Sequence, residues 1–101
     1  MRRMLLSAAG YEVLAAVSGA GALRMLRRKP INLVITDYFL PGMTGSELAA
    51  AVKTRHPEVP VIMLTGAIEP PSGSDLADLV LTKGMSPEEF LSAIAKLAPR
   101  K

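Results

Sequence analysis

The sequence predicts an α/β domain in which a parallel sheet carries helices on both faces, with four strands and about five helices. Ile31-Asn32-Leu33-Val34-Ile35-Thr36 and Val59-Pro60-Val61-Ile62-Met63-Leu64-Thr65 are short, nearly continuous apolar runs rich in β-branched residues. Such runs suit strands covered on both sides. Segments with helical spacing lie around and between them, and strands that alternate with helices build parallel sheets. At 101 residues the chain holds one domain, residues 1–101, with a single core.

In chain order, residues 2–9 read as a helix and Glu12-Val13-Leu14-Ala15-Ala16-Val17 as a weak strand. Residues 19–28 read as a second helix, buried through Leu23 and Leu26. The Ile31–Thr36 strand follows. Thr44 and Glu47 form a capping box that opens a helix with Leu48 and Val52 on one face, closing near His56-Pro57. Pro60 stands at the start of its strand, where a missing ladder N–H is tolerated. Gly66 to Ser74, with Pro70-Pro71, is a loop, and a short helical turn follows at Ser74–Asp78. Leu79–Thr82 is a weak strand. Ser86, Pro87 and Glu89 open the last helix, whose Phe90, Leu91, Ile94 and Leu97 make an apolar stripe.

Composition removes several function classes. Half the residues are hydrophobic and 21% are charged, which excludes a disordered chain. The absence of cysteine excludes a disulfide scaffold, thiolate metal sites and cysteine nucleophiles, and fits a reducing cytoplasm. With two Tyr, two Phe and no Trp, a base-stacking platform has too few rings. Arg2 and Arg3 before Met4-Leu5-Leu6 suggest a signal peptide, but Tyr11 and Glu12 interrupt the apolar stretch. No stretch reaches the roughly 18 apolar residues of a membrane span. Residues 1–29 carry six basic residues against Glu12, and residues 30–101 carry six against eight acidic ones. A basic third can face nucleic acid or an acidic partner. Two solvated helix faces account for it more simply.

In parallel sheets the working crevice lies at the carboxyl ends of the strands. Asp37, Thr65 and Lys83 each stand at or just beyond such an end. Taken singly, Asp37 is a turn cap before Pro41-Gly42, Thr65 a strand residue and Lys83 a solvated loop lysine. Together they place a carboxylate, a hydroxyl and an ammonium around one crevice. Two other patterns lead nowhere: Gly19-Ala20-Gly21 lacks the third glycine of a dinucleotide fingerprint, and His56 stands alone at a helix end.

With those residues in place, the chain resembles a response-regulator receiver domain, the phosphoacceptor module of two-component signalling. Gly10-Tyr11-Glu12-Val13, Ala22-Leu23 and Leu33-Val34-Ile35-Thr36-Asp37 through Leu40-Pro41-Gly42-Met43-Thr44-Gly45 match its central signature. Val61-Ile62-Met63-Leu64-Thr65-Gly66 and Leu81-Thr82-Lys83 match its two later ones. The resemblance covers essentially the whole chain and implies a flavodoxin-like fold. It implies Asp37 as the acceptor of a phosphoryl group, Thr65 as the switch hydroxyl and Lys83 as the conserved-type lysine. It also implies the backbone amides of Phe39 and Gly66 as phosphate donors. The implied partner is a sensor histidine kinase or phosphotransfer protein, with a downstream protein beyond it. A cytoplasmic, non-enzymatic signalling role follows, with neither membrane nor nucleic acid as partner.

The family opens on a strand that ends in two acidic residues, and this chain starts after it, as an N-terminally truncated receiver. The Mg²⁺ that the resemblance implies is left with Asp37 and the Phe39 carbonyl, a weak or absent site. Gly84 stands where the family has proline, and Val80 where it has an aromatic switch residue. Without the acidic pair, Lys83 and Asp37 are expected to pair directly or through water. A lost central strand removes buried side chains worth roughly 8–15 kcal/mol, as much as a typical domain's whole stability. Either Glu12–Val17 closes onto Ile31–Thr36, or two chains cover the gap as a homodimer. The homodimer is the expectation, and a docking or dimerisation module with a silent acceptor is the alternative role.

Overall fold

The structure, a computed structural model, describes residues 2–66 and 76–98. Four helices lie within them: α1 (Arg2–Ala8), α2 (Gly19–Arg28), α3 (Gly45–Arg55) and α4 (Pro87–Leu97). The strands are β1 (Val34–Asp37), β2 (Phe39–Leu40), β3 (Met43–Thr44), β4 (Val61–Thr65) and β5 (Leu79–Thr82). β1, β4 and β5 form a parallel sheet in that order, with Val34 opposite Val61, Ile62 opposite Leu79, and Thr65 opposite Thr82. Central β4 is buried at all five positions, as its unbroken apolar run requires.

Side-chain alternation along β4 divides the core in two. Ile62 and Leu64 meet Leu6 of α1 and Phe90 and Ile94 of α4 on one face. Val61 meets Leu26 of α2 and Leu48, Ala49 and Val52 of α3 on the other. Helices therefore cover both faces, as expected. α2, α3 and α4 each begin where their capping chemistry lies. Ser18 accepts from the Gly21 amide at the head of α2, and complete capping boxes join Thr44 to Glu47 and Ser86 to Glu89. His56 is the C-cap of α3, its N–H reaching the Val52 carbonyl at 2.6 Å.

Three expectations need correction. Glu12–Val17 is not a strand: the segment joins no ladder, and Leu14 and Val17 are 40% and 92% exposed. Instead of closing onto β1, it is separated from it by a cavity of about 240 Å³, and strand propensity without a ladder fixes nothing. The parallel sheet therefore has three strands among the described residues, not four. Second, Pro41-Gly42 is the loop of a hairpin, β2 pairing antiparallel with β3 across a turn in which Gly42 has φ +80°. That is the place for Pro then Gly in a type II turn. Third, α-helices number four among the described residues, and residues 67–75, which span most of the expected Gly66–Ser74 loop and the first two residues of the expected Ser74–Asp78 turn, lie outside them.

Candidate functional site

The site is assembled by register. Asp37 closes β1 opposite Leu64 of β4, Thr65 is the next residue of β4, and Thr65 pairs with Thr82, the residue before Lys83. Three neighbouring strands thus deliver Asp37, Thr65 and Lys83 to one edge of the sheet. The Lys83 amide donates to the Thr65 carbonyl at 3.0 Å, which carries the ladder one residue past β5 and fixes where the lysine leaves it. Its Nζ then lies 3.4 Å from Asp37 Oδ1, a direct pair as expected. Side-chain exposures of 51% for Lys83 and 33% for Asp37 make this a wet ion pair, worth at most about 1 kcal/mol to the fold. Its value is positional: a cation is held beside a carboxylate that a reagent can still approach.

The backbone around Asp37 is held in place by contacts of its own. The Thr36 hydroxyl donates to the Asp37 carbonyl at 2.9 Å, and the Tyr38 amide donates to Leu64 at 3.1 Å. The Gly45 amide donates to the Tyr38 carbonyl, bringing the start of α3 hard against the acceptor. A Cβ on Gly45 would overlap the Asp37 carbonyl oxygen and lie 3.1 Å from Tyr38 Cα, so only glycine permits this approach. Sequence reasoning missed Thr36 and Gly45. The signal available was the small residue directly after the Thr44 cap, which a helix does not itself demand.

Around the crevice, Thr65 is buried at 6% exposure while Phe39 is 82% exposed, its ring set edge-on to Tyr38 at 4.8 Å. Gly66 follows Thr65 in the open, where even an added Cβ would meet nothing within 4 Å. Among the described residues no three His, Cys, Asp or Glu side chains gather at one place. Magnesium prefers six oxygens in a strict octahedron, usually including one or two carboxylates. One carboxylate already facing an ammonium, with a neighbouring carbonyl, does not fit that ion.

A second charged cluster sits at the amino end of the sheet. Asp78 Oδ2 accepts from Lys53 Nζ at 2.6 Å and from the Val61 amide at 2.7 Å, while Lys53 also donates to the Val59 carbonyl. Burial acts to raise the Asp78 pKa. The bonds from Lys53 and Val61 and the lysine's charge outweigh it, and hold the carboxyl below its ordinary value. This cluster braces α3 and the β5 approach on the start of β4, away from the crevice.

The family model described as "Response regulator receiver domain" matches residues 1–95. The response regulator receiver protein CpdR of Brucella abortus is 33% identical over 104 residues, covering 96% of this chain and 87% of that protein. The response regulator protein FleR of Pseudomonas aeruginosa is 40% identical over 62 residues, covering 59% of this chain but 13% of FleR. Among solved structures, the response regulator TrrA of Thermotoga maritima, crystallised with Mg²⁺ and BeF, superposes with a TM-score of 0.87 at 28% identity, covering 95% of this chain and 85% of that one. Receiver domains such as these are signalling modules, and no described helix here is long and apolar enough to cross a membrane. The match over nearly the whole chain, on a parallel sheet with an aspartate, a threonine and a lysine at its carboxyl edge, places this chain in the response regulator receiver domain family of two-component systems.

Proposed function

We propose that Asp37 accepts a phosphoryl group from a sensor histidine kinase or phosphotransfer protein, and that residues 1–101 act as one receiver domain. The observation that carries this reading is the Lys83 ammonium 3.4 Å from Asp37 Oδ1, two groups brought from separate strand ends to one accessible edge. An Asp37 carboxylate oxygen attacks phosphorus, the new P–O bond forms as the P–N bond to the donor imidazole breaks, and the imidazole nitrogen keeps the electron pair. Lys83, with the amides of Phe39 and Gly66, neutralises charge on the transferring oxygens. Thr65 supplies the hydroxyl that answers the new phosphoryl group. Because the product stays on the chain, the protein acts as a signalling element and not as an enzyme. A cytoplasmic setting belongs to the same proposal.

Incubation with acetyl phosphate in magnesium buffer, followed by intact-mass spectrometry, tests the reading. One added phosphoryl group on the wild type and none on Asp37→Asn is the expected result. Phosphate that persists in Asp37→Asn removes Asp37 from the role. An unmodified wild type favours the second reading, a docking module with a silent acceptor. That second reading has its own observation, the β1 edge that no described strand covers, with a homodimer as its sequence-based form.

A further inference from the structure

We propose that the outward face of α2, with the residues that flank it, is a docking surface for a segment of another protein that is apolar at one end and acidic at the other. The exposed positions of α2 are Ala20, Arg24, Arg27 and Arg28, at the spacing of a single helix face. Val17 before the helix and Lys29 after it are exposed as well. The face therefore changes character along its length, apolar at its head, where Val17 is 92% exposed, and cationic at its tail. From Val17 to Lys29 it runs about 18 Å at roughly 1.5 Å per residue.

A helix face that is only solvated mixes both signs of charge, and this one does not. No acidic residue occurs between Glu12 and Asp37. None of Arg24, Arg27, Arg28 and Lys29 is ion-paired among the described residues. The helix dipole accounts for Arg27 and Arg28 in the last turn, but Arg24 stands outside that turn. Arg24 leans back along the face, since a Cβ built on Gly21 would lie 3.7 Å from its guanidinium, and so brings positive charge up to the apolar head. The surface is also held in place. Ser18 Oγ accepts from the Gly21 amide at 3.1 Å, and a Cβ on Gly19 would overlap Met43 Sδ, so the head of α2 is seated on the β2–β3 hairpin. A fixed surface loses little freedom when a guest orders on it.

Charge complementarity calls for an anion, and the shape of the face chooses among anions. Four cations are fewer than the roughly six to ten phosphate contacts typical of proteins that bind DNA, and a phosphate backbone makes no use of Val17. An anionic membrane would take up the apolar side of the helix, but Leu23 and Leu26 are packed in the core with Leu48 and Val52. A second copy of the chain offers Glu88 and Glu89 at the head of α4, where Glu89 is already bonded to Ser86. A polypeptide segment with an apolar end and an acidic end suits both halves of the face, since arginine clusters recognise acidic motifs.

The probe is the peptide Ac-Leu-Val-Leu-Gly-Asp-Glu-Glu-Asp-NH2, titrated into the full chain at about 0.15 M ionic strength while backbone amides are followed by NMR. Saturable binding is expected, with the shifts centred on residues 17–29. Arg24→Gln/Arg28→Gln, checked for folding by circular dichroism, should bind about tenfold more weakly. Arg3→Gln/Lys96→Gln removes the same charge from exposed positions on α1 and α4 and should bind as the wild type does. Val17→Ser should bind about threefold more weakly. Absence of saturable binding, shifts centred elsewhere, or an unweakened Val17→Ser overturns the proposal. Equal weakening by the two double variants overturns it as well, because binding then follows net charge alone. A short DNA duplex or phosphatidylserine vesicles that shift the same amides at lower concentration than the peptide overturn it in favour of nucleic acid or lipid.

Discussion

Gly45 stands so close to Asp37 that a methyl group at its α-carbon would fall on the Asp37 carbonyl oxygen. The first turn of α3 and the Asp37 peptide thus share one tightly packed contact. Gly45→Ala should force them apart, costing about 1–3 kcal/mol of stability. A fall in Tm of at least 4 °C is then expected for a domain this size. Phosphorylation by acetyl phosphate should slow as well, because the displaced atoms belong to Asp37. An unchanged Tm would show that the contact relaxes freely.

Lys83→Met separates the charge of the lysine from its bulk. With both side chains of the pair a third or more exposed, stability should move by less than about 1 kcal/mol. The phosphorylation rate should fall by roughly 10²-fold, the usual cost of removing one donor from a developing oxyanion. A comparison of urea midpoints with phosphorylation time courses checks both halves. A variant phosphorylated at the wild-type rate would show that Lys83 takes no part.

Asp78 gives the fold an acid-sensitive brace. Its pKa is lowered in the folded state, so its contribution is fully present above the ordinary carboxylate range and disappears as pH falls through the folded value. Asp78→Asn should therefore be less stable than wild type at pH 7, by about 1 kcal/mol for a half-exposed bond network. The gap should narrow as pH falls below the ordinary carboxylate range. Urea unfolding at pH 7, 5 and 3 reads this directly, and a gap that does not narrow with acid would exclude the carboxylate as its source.

Ser86→Ala tests the head of α4 independently of the crevice. Ser86 Oγ accepts from the Glu89 amide at 3.1 Å, and Glu89 answers to the Ser86 amide at 3.0 Å. Loss of the cap should cost about 1 kcal/mol. The Glu89 carboxyl, held below its ordinary value first by the Ser86 amide and then by its hydroxyl, should titrate higher in the variant. NMR titration of the Glu89 side chain checks the second effect, which a purely steric disturbance of α4 would not produce.

Elements that declare themselves through local chemistry were legible in the sequence. Thr44 and Ser86 each mark a helix start, because a cap is decided within four residues, whereas the Ser18 cap of α2 went unread. The Leu79–Thr82 strand was found with its exact bounds. What failed depends on a neighbour. Glu12–Val17 has a strand's residue types, yet pairing needs an adjacent edge at ladder distance, and no residue within the segment reports on that. The β2–β3 hairpin was hidden because strands of two residues show no alternation, leaving Pro41-Gly42 to read as a plain turn. In the crevice, Asp37, Thr65 and Lys83 followed from the strand-end rule. Gly45 and Thr36 did not, since their work is done against backbone atoms that only the fold brings near.

The Lys83–Asp37 pair also has a history in time. The two residues are joined through α3, β4 and β5, so they meet only after β1 has found β4 and β4 has found β5. Both pairings are parallel crossovers, whose loop closure must be completed before any contact rewards it. A chain stalled at the first crossover has an aspartate but no ammonium beside it, and so lacks the pair on which the proposed phosphoryl transfer rests. Under the proposed role of Asp37, reactivity toward a phosphodonor would thereby report complete folding, since partly built chains would stay silent without any separate quality check.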